Sequence, residues 1–301
     1  MAAKKSVVVT ADFSNVDHLH AGGASGIGLG ITRSFAEHGA HISVLDVNPE
    51  GAQIVKGLSS EYPNATFSFM KADISQWDEL AAVFEQIYRE QGRIDVVMAN
   101  AGISKEPKLI VDEDTPSRPP LHTLDVNLVG TIYSEFEIVP PSDGSVSDPR
   151  TAVKLAIHYI RKNAVVNGAT VPSKGSIICT ASNAGLYPFA VAPIYAASKF
   201  GVVGLVRSLA RQLERQAIQI NALAPAVLET NIAPDKALFK TMILTPMSTL
   251  TRGVQQLVSN PSLTGQIAEI HGENVSLREP TPYVDEDTGT NIETFWSLGY
   301  A

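Results

Sequence analysis

The stretch of residues 182–199 carries a hydroxyl, a phenol and an ammonium at spacings that can bring them together. Tyr195 and Lys199 are four residues apart, so on a helix they lie on one face, one turn from each other. Ser182 follows the apolar run 177–179, which predicts a buried strand that ends at Thr180. We therefore expect a strand end, a loop and a helix to assemble these three groups into one site.

These residue types suit proton transfer to or from a carbonyl or carbinol oxygen. A free phenol, with a pKa of about 10, is a poor base at neutral pH, and a nearby ammonium lowers that pKa towards the useful range. Ser182 can hold the substrate oxygen near the phenol. No side chain carries a hydride, so a redox reaction at this site needs a cofactor. Each feature alone has a plainer explanation, since Tyr-x-x-x-Lys occurs by chance in helices and a serine after a strand is usually a turn former.

A glycine-rich turn near the N-terminus could bind the phosphates of such a cofactor. Gly22, Gly26 and Gly28 precede an amphipathic segment at 29–38, and glycines there let the backbone approach an anion at a helix N-terminus. Such a turn is a weak signal by itself. Asp46 ends the next predicted strand, near the spacing at which an acid meets a ribose 2′-hydroxyl, although it can also be a simple strand-end carboxylate. No Lys or Arg follows it at once, which favours NAD over NADP.

Strand-like and helical segments alternate along the chain. Seven apolar runs predict strands, at residues 6–10, 41–46, 66–71, 94–99, 175–180, 219–224 and 266–271. Amphipathic segments between them predict helices. This rhythm predicts a single-domain α/β fold, with a Rossmann-like doubly wound parallel sheet of about seven strands and ligands at the carboxyl ends of the strands. Asp73 and Asn100 follow two of these strands, where an adenosine would lie.

The middle of the chain is less regular. Asn127 lies in a predicted helix at 121–133, where an asparagine can also be a residue satisfied by backbone or water. The helical pattern breaks within 134–152, where turn formers cluster, and resumes at 153–163. The segment 225–250, which contains several prolines and threonines, is a candidate substrate loop.

Composition limits the class of protein. The chain has 301 residues, of which 44% are hydrophobic and 18% charged, as expected of a globular domain with a sizeable core. Its net charge of −8 argues against a nucleic-acid partner or a polybasic membrane contact. Cys179 is the single cysteine, and no apolar run is long enough for a signal peptide or a membrane span. We therefore expect a cytoplasmic protein without a disulfide or a metal site.

Taken together, the motifs resemble the classical type of the short-chain dehydrogenase/reductase (SDR) family, over residues 6–272. The residues that carry the resemblance are Gly22 to Gly28, Asp73, Asn100-Ala101-Gly102, Asn127, Ser182, Tyr195 to Lys199, Pro225 and Thr230. Within the family, Asp46 and the run from Ser182 to Leu186 are similar to the NAD-preferring, hydroxyprostaglandin-dehydrogenase-like group.

The resemblance implies a role for each of these positions. It implies a seven-stranded Rossmann sheet, a homodimer or homotetramer, and a catalytic tetrad of Asn127, Ser182, Tyr195 and Lys199. In that tetrad Lys199 also contacts the nicotinamide ribose and Asn127 holds a water in a proton relay. The implied cofactor-binding residues are Gly22, Ser25, Gly26, Ile27, Gly28, Asp46, Asp73, Ile74, Asn100, Tyr195, Lys199, Val227 and Thr230.

Two stretches depart from the family's pattern. Residues 11–21 separate the predicted first strand from the glycine turn, and a further insertion within 134–152 interrupts the helix that follows Asn127. Deleting each restores a family-like join. We hypothesise that both are translated intron sequence, which peptides from 143–150 in the mass spectrum of the native protein would contradict. The chain then comprises an NAD(P)-binding domain at 1–272 and a C-terminal tail at 273–301.

The predicted function is hydride transfer between NAD, or alternatively NADP, and a hydrophobic secondary alcohol or its ketone, with Tyr195 as the general acid–base. The apolar loop at 186–194 favours a small lipophilic substrate, although its side chains can also pack under the loop or in a subunit contact. The alternatives are an NADP-dependent ketoreductase of a biosynthetic pathway, a non-catalytic dinucleotide-binding protein impaired by the insertions, and a methyltransferase. The last would have no need for Tyr195 and Lys199.

Overall fold

The described part of the chain forms one eight-stranded sheet in the order β3-β2-β1-β4-β5-β6-β7-β8. The computed structural model describes residues 17–107, 109, 115, 117–132, 152–166, 171–230, 232 and 236–298. The strands are β1 Asp17–Ala21, β2 His41–Asp46, β3 Thr66–Lys71, β4 Val96–Ala99, β5 Gly175–Thr180, β6 Ile218–Pro225, β7 Ile267–His271 and β8 Asn274–Arg278. Strands β1 to β7 pair in parallel, and β8 pairs antiparallel to β7. The strand order reverses between β1 and β4, which confirms the predicted doubly wound, Rossmann-like fold.

Helices cover both faces of the sheet. The longer ones are α1 Gly26–Ala36, α2 Gly51–Glu61, α3 Trp77–Gln91, α6 Ala152–Ile160, α7 Pro193–Glu214, α8 Met247–Ser259 and α9 Glu286–Ser297. Buried side chains of α1, α2 and α8 form one apolar cluster with the sheet, while those of α3, α6 and α7 form the other. The neighbouring residues Ile177 and Ile178 of β5 belong to opposite clusters, as the two-residue period of a strand requires. Each such buried isoleucine contributes about 1.5–3 kcal/mol to folding.

The first strand differs from the sequence prediction. β1 is formed by Asp17–Ala21, the end of the stretch 11–21, and it runs directly into Gly22. It lies in the centre of the sheet between β2 and β4. The predicted strand at 6–10 lies outside the described residues. A phosphate-binding turn follows directly from a central strand, and here that strand is Asp17–Ala21. The prediction that 11–21 separates the strand from the turn is therefore wrong.

The helix that follows β4 contains an irregular turn. The α-helical turns α4 His122–Leu124 and α5 Gly130–Ile132 flank a π-helical turn at Asp125–Val129. Such one-turn π segments occur often at functional sites. The predicted insertion within 134–152 lies almost wholly outside the described residues, and the chain is described again from Ala152.

The C-terminal region extends the fold past residue 272. A turn at Gly272, which has φ of 49°, leads into β8, so the sheet ends at Arg278 and not before the predicted tail. Helix α9 has no buried residue, and it contacts α7 through an ion pair between Arg211 and Glu293. Trp296 of α9 also stacks on the guanidinium groups of Arg211 and Arg215. Among the described residues, no helix has the length and apolarity that a membrane span needs.

Candidate active site

The predicted site residues gather along one edge of the sheet. They follow the carboxyl ends of β1, β2, β3, β4, β5 and β6, which parallel pairing brings to the same side. Among the described residues, no cluster of His, Cys, Asp or Glu could hold a metal ion.

The turn after β1 is shaped for close backbone approach. Gly22 and Gly26 have φ of 70° and 49°, a left-handed conformation that favours glycine. A Cβ on Gly28 would lie 1.9 Å from the carbonyl oxygen of Gly22, so a side chain there would force the turn apart. Ser25 is the N-cap of α1 and makes no side-chain capping bond. The helix therefore presents its N-terminal N–H groups to an anion, which fits the phosphates of a dinucleotide.

The neighbouring residues that the sequence predicts to bind the cofactor lie along the same edge. Asp46 ends β2 and accepts hydrogen bonds from the N–H groups of Ala24 and Asn48, at 3.3 and 3.1 Å, so its carboxylate lies beside the glycine turn. Beyond β3, Asp73 accepts from both the amide and the hydroxyl of Ser75 at 2.9 and 2.7 Å. Ile74, which lies between Asp73 and Ser75 in the sequence, is buried.

Asn100 ties the glycine turn to the far side of the site. Its Nδ2 donates to the carbonyl oxygen of Gly22 at 3.3 Å, and its Oδ1 accepts from the Thr180 hydroxyl at 3.1 Å. The amide thereby connects the ends of β1, β4 and β5. A Cβ on Gly102 would lie 3.2 Å from Asn127 Oδ1 and 3.5 Å from Lys199 Nζ, so this glycine lies beside both side chains.

The loop after β6 lies against the glycine turn. A Cβ on Gly26 would lie 3.4 Å from the side chain of Thr230, which places that threonine against the start of α1. The carbonyl oxygen of Val227 accepts from the Thr245 amide at 2.8 Å. The predicted substrate segment 225–250 therefore begins beside the glycine turn, and it contains a 3-10 helix at Lys236–Thr241 and the start of α8. Ile27, the remaining predicted contact, packs against the cluster below α1.

Ser182, Tyr195 and Lys199 converge as the sequence predicts. Ser182 starts a short 3-10 turn at Asn183–Gly185, and a Cβ on Gly185 would lie 2.6 Å from the carbonyl oxygen of Lys199. The glycine therefore allows this turn to press against α7. Lys199 Nζ lies 5.6 Å from the centroid of the Tyr195 ring and donates to the Thr180 carbonyl at 2.8 Å.

Burial perturbs the pKa values of both ionisable groups. Burial raises the pKa of Tyr195, and a hydrogen bond from Ser182 partly opposes that rise. Burial also lowers the pKa of Lys199 from 10.5 to about 8, against a smaller opposing effect of Cys179. The Ser182 hydroxyl therefore lowers the phenol pKa in this structure, and the lowering by Lys199 stays a prediction.

Asn127 is buried in the π-helical turn and acts as a clamp. Its Oδ1 accepts from the Ile103 amide at 2.8 Å, while its Nδ2 donates to the Ile103 carbonyl at 2.8 Å and to the Ser198 hydroxyl at 3.2 Å. The Ser198 hydroxyl in turn donates to the carbonyl oxygen of Tyr195 at 2.6 Å. Asn127 thus joins the loop after β4 to the helix that carries the tyrosine.

Sequence reasoning missed Glu106. Glu106 accepts from the amides of Ile194 and Tyr195 at 2.6 and 3.1 Å. One signal was available: α7 begins at Pro193 after Ala192, and neither residue can cap the helix with its side chain. The first N–H groups of this helix therefore need an acceptor from elsewhere in the chain.

The family model for short chain dehydrogenase matches residues 19–143 and 159–240. The chain is 37% identical over 217 residues to the short-chain dehydrogenase/reductase prx4 of Penicillium roqueforti, a match that covers 71% of this chain and 54% of prx4. The chain thus spans about half the length of that relative. It is also 26% identical to the 15-hydroxyprostaglandin dehydrogenase [NAD(+)] of Rattus norvegicus, over 83% of this chain and 88% of the rat protein.

A solved structure supports the fold. A short chain dehydrogenase from Burkholderia cenocepacia J2315, crystallised in complex with NADP, superposes with a TM-score of 0.67 at 21% identity. The superposition covers 87% of this chain and 98% of the bacterial one.

Proposed function

Because the chain belongs to the short-chain dehydrogenase family, we propose that it transfers a hydride between a nicotinamide dinucleotide and a hydrophobic secondary alcohol or the corresponding ketone. The observation that carries this proposal is the convergence of Ser182, Tyr195 and Lys199 on the edge of the sheet that also holds the glycine turn. A phosphate-binding protein without redox chemistry would not need a largely buried phenol and a buried ammonium side by side.

The chain's own residues would hold the dinucleotide along this edge. The N-terminus of α1 and the turn Gly22 to Gly28 would bind the pyrophosphate, and Asp46 the adenosine ribose. Lys199 would contact the nicotinamide ribose. The dinucleotide, when bound, supplies or accepts the hydride.

Asp46 favours NAD over NADP in this proposal. Its carboxylate lies at the end of β2 beside the Ala24 amide, where a 2′-phosphate would meet a like charge. The rat relative carries NAD(+) in its name, whereas the bacterial structure holds NADP, so both cofactors belong in the test. We assign the chain to the hydroxyprostaglandin-dehydrogenase-like group as part of the same proposal.

The side chains then divide the proton chemistry. Tyr195 gives a proton to the substrate oxygen during ketone reduction and takes it back during alcohol oxidation. Ser182 holds that oxygen beside the phenol, and the Lys199 ammonium stabilises the phenolate when it forms. Asn127 fixes the loop and helix that frame these groups, and a water beside it would complete the relay to solvent.

Exposed apolar side chains support a lipophilic substrate. The loop before α7 exposes Tyr187, Phe189 and Val191, the last at 78% of its surface. The segment after β6 exposes Met242 and Ile243, the latter at 92%.

We further propose that the protein is cytoplasmic and forms a homodimer or a homotetramer. Light scattering after gel filtration of the purified protein tests the oligomeric state directly.

Cofactor and substrate tests decide the proposal. NADH and NADPH are titrated by cofactor fluorescence, and a panel of lipophilic secondary alcohols and ketones is then screened with the cofactor that binds. We expect NADH to bind more tightly than NADPH, and Tyr195→Phe to lower kcat by roughly 10²–10⁴-fold with cofactor affinity preserved. The matched control is Tyr283→Phe, which alters an exposed tyrosine near α9. Binding of neither cofactor, or unchanged turnover in Tyr195→Phe, would refute the mechanism.

A further inference from the structure

The carboxylate of Glu106 caps the helix that carries Tyr195. Its two oxygens accept separate hydrogen bonds, Oε1 from the Ile194 amide at 2.6 Å and Oε2 from the Tyr195 amide at 3.1 Å. These two residues are the second and third of α7, whose first residue, Pro193, has no N–H group. The carboxylate therefore satisfies the first two donors of the helix, from a position 88 residues away in sequence.

The chain around Glu106 is itself held by buried side chains. The Thr123 hydroxyl donates to the carbonyl oxygen of Lys105 at 2.7 Å and accepts from the Lys105 amide at 3.2 Å. Asn127 pairs in the same two-way manner with the backbone of Ile103. Thr123 and Asn127 are both almost completely buried. Residues 103–106 thus form a strap that is fixed at two places before it reaches α7.

The strap connects the cofactor side of the site to the tyrosine side. It continues directly from the turn at Asn100 and Gly102, which contacts both the glycine turn and the surroundings of Lys199. A movement at the N-terminus of α7 would carry the Tyr195 backbone with it, since its amide is one of the two bound groups. Displacements of about 1 Å at a reacting group can cost roughly a hundredfold in rate.

We propose that Glu106 is a positioning residue for Tyr195, which sets the place of the phenol relative to Ser182 and Lys199 through the N-terminus of α7. This inference rests on the proposed role of Tyr195 as the general acid–base. Glu106 does not touch the reacting atoms in this assignment. It acts through the two backbone bonds that it accepts.

The test uses Glu106→Gln, whose side chain keeps the size but offers only one acceptor oxygen. Glu106→Ala removes both acceptors, and Glu273→Gln, in the exposed turn between β7 and β8, is the matched control for loss of a carboxylate. We expect kcat to fall roughly ten- to hundredfold relative to the wild type, less in Glu106→Gln than in Glu106→Ala. The Kd for NADH of both variants should stay within about twofold of the wild-type value. A loss confined to the amount of folded protein, with kcat per folded molecule unchanged, overturns the proposal.

A second measurement does not need a substrate. The phenolate absorbance at 295 nm is titrated against pH. The curve of Tyr195→Phe is subtracted from that of the wild type, and the curve of the double variant Glu106→Gln/Tyr195→Phe is subtracted from that of Glu106→Gln, so that each difference reports Tyr195 alone. A displaced phenol loses the Ser182 hydrogen bond that lowers its pKa, so we expect the titration of Tyr195 to move upward by roughly half a pH unit or more. Removal of a negative charge alone would move it downward, so a downward shift or coincident curves contradicts the positioning role. If the wild type turns over no alcohol or ketone, the proposed function fails, and this titration still decides the role of Glu106.

Discussion

Replacement of Lys199 by methionine should change how the stability of the protein depends on pH. Lys199 is only 3% exposed, and burial lowers the pKa of its ammonium from 10.5 in the unfolded chain to about 8. Methionine has a similar length and no charge, so it fills the same space without the cost of burying an ion.

The size of the effect follows from the two pKa values. The difference between 10.5 and about 8 corresponds to about 3 kcal/mol, at 1.36 kcal/mol per unit. Between these pH values the unfolded chain holds a proton on Lys199 that the native state lacks, so native stability rises with pH. The wild type therefore carries the full cost of the buried charge below pH 8 and loses it as the pH approaches 10.5.

The methionine variant also loses a hydrogen bond. Lys199 Nζ donates to the Thr180 carbonyl oxygen at 2.8 Å, and an acceptor left unpaired costs about 1–3 kcal/mol at every pH. Lys199→Met should therefore equal or exceed the wild type in stability at pH 7, by up to about 2 kcal/mol. It should fall below the wild type near pH 10, because most of the cost of the buried charge is then gone and the lost bond outweighs the rest.

Urea unfolding at pH 7, 8.5 and 10, without cofactor, measures this difference. Lys56→Met, which removes an exposed lysine of α2, reports the effect of losing one lysine charge on the same curves. The decisive quantity is the change in the free energy of unfolding of Lys199→Met relative to wild type across the pH series. A difference that stays constant from pH 7 to pH 10 would show that Lys199 is not a costly buried ammonium, and the reasoning would fail.

Three further predictions concern the site. Gly28→Ala should weaken NADH binding at least tenfold, as measured by fluorescence titration, because the added Cβ would lie 1.9 Å from the Gly22 carbonyl oxygen. Gly57→Ala, at an open position of α2, is the control for this variant. Asp46→Ala should improve NADPH binding relative to NADH by roughly tenfold, about 1.4 kcal/mol, and an unchanged ratio would remove Asp46 from cofactor selection. Alcohol oxidation should accelerate as the pH rises from 7 to 9, because burial raises the pKa of Tyr195 and the base is its phenolate; a rate that falls over this range contradicts that assignment.

The sequence predicts the regular part of the fold well. The bounds of β2, β3 and β5 agree at both ends with the predicted runs, because each is a short strand-like run with polar or turn-forming neighbours. The Tyr195 and Lys199 pair, four residues apart, lies on one long helix as expected. The sequence pattern predicts these strands and this helix because residues that are neighbours in the chain determine them.

The errors arise where distant parts of the chain decide the structure. β1 lies at Asp17–Ala21 because the glycine turn must continue from it, although its polar residues do not resemble a central strand. Glu106 is an ordinary loop acid until the fold brings α7 to it. The π-helical turn around Asn127 reflects long-range bonds to Ile103 and Ser198, which no spacing along the chain encodes.

The arrangement of the strands also has a consequence for folding kinetics. Among the described strands, only β7 and β8 form a hairpin, and such a pair closes in roughly 1–10 µs. The contact of Asn100 with Gly22, by contrast, joins residues 78 positions apart. Parallel strand pairs such as β1 and β4 form only after the long loop between them has closed, which slows their formation. We therefore expect the sheet to grow from its helices and its C-terminal hairpin, and the edge that carries the site to be completed among the last steps of folding.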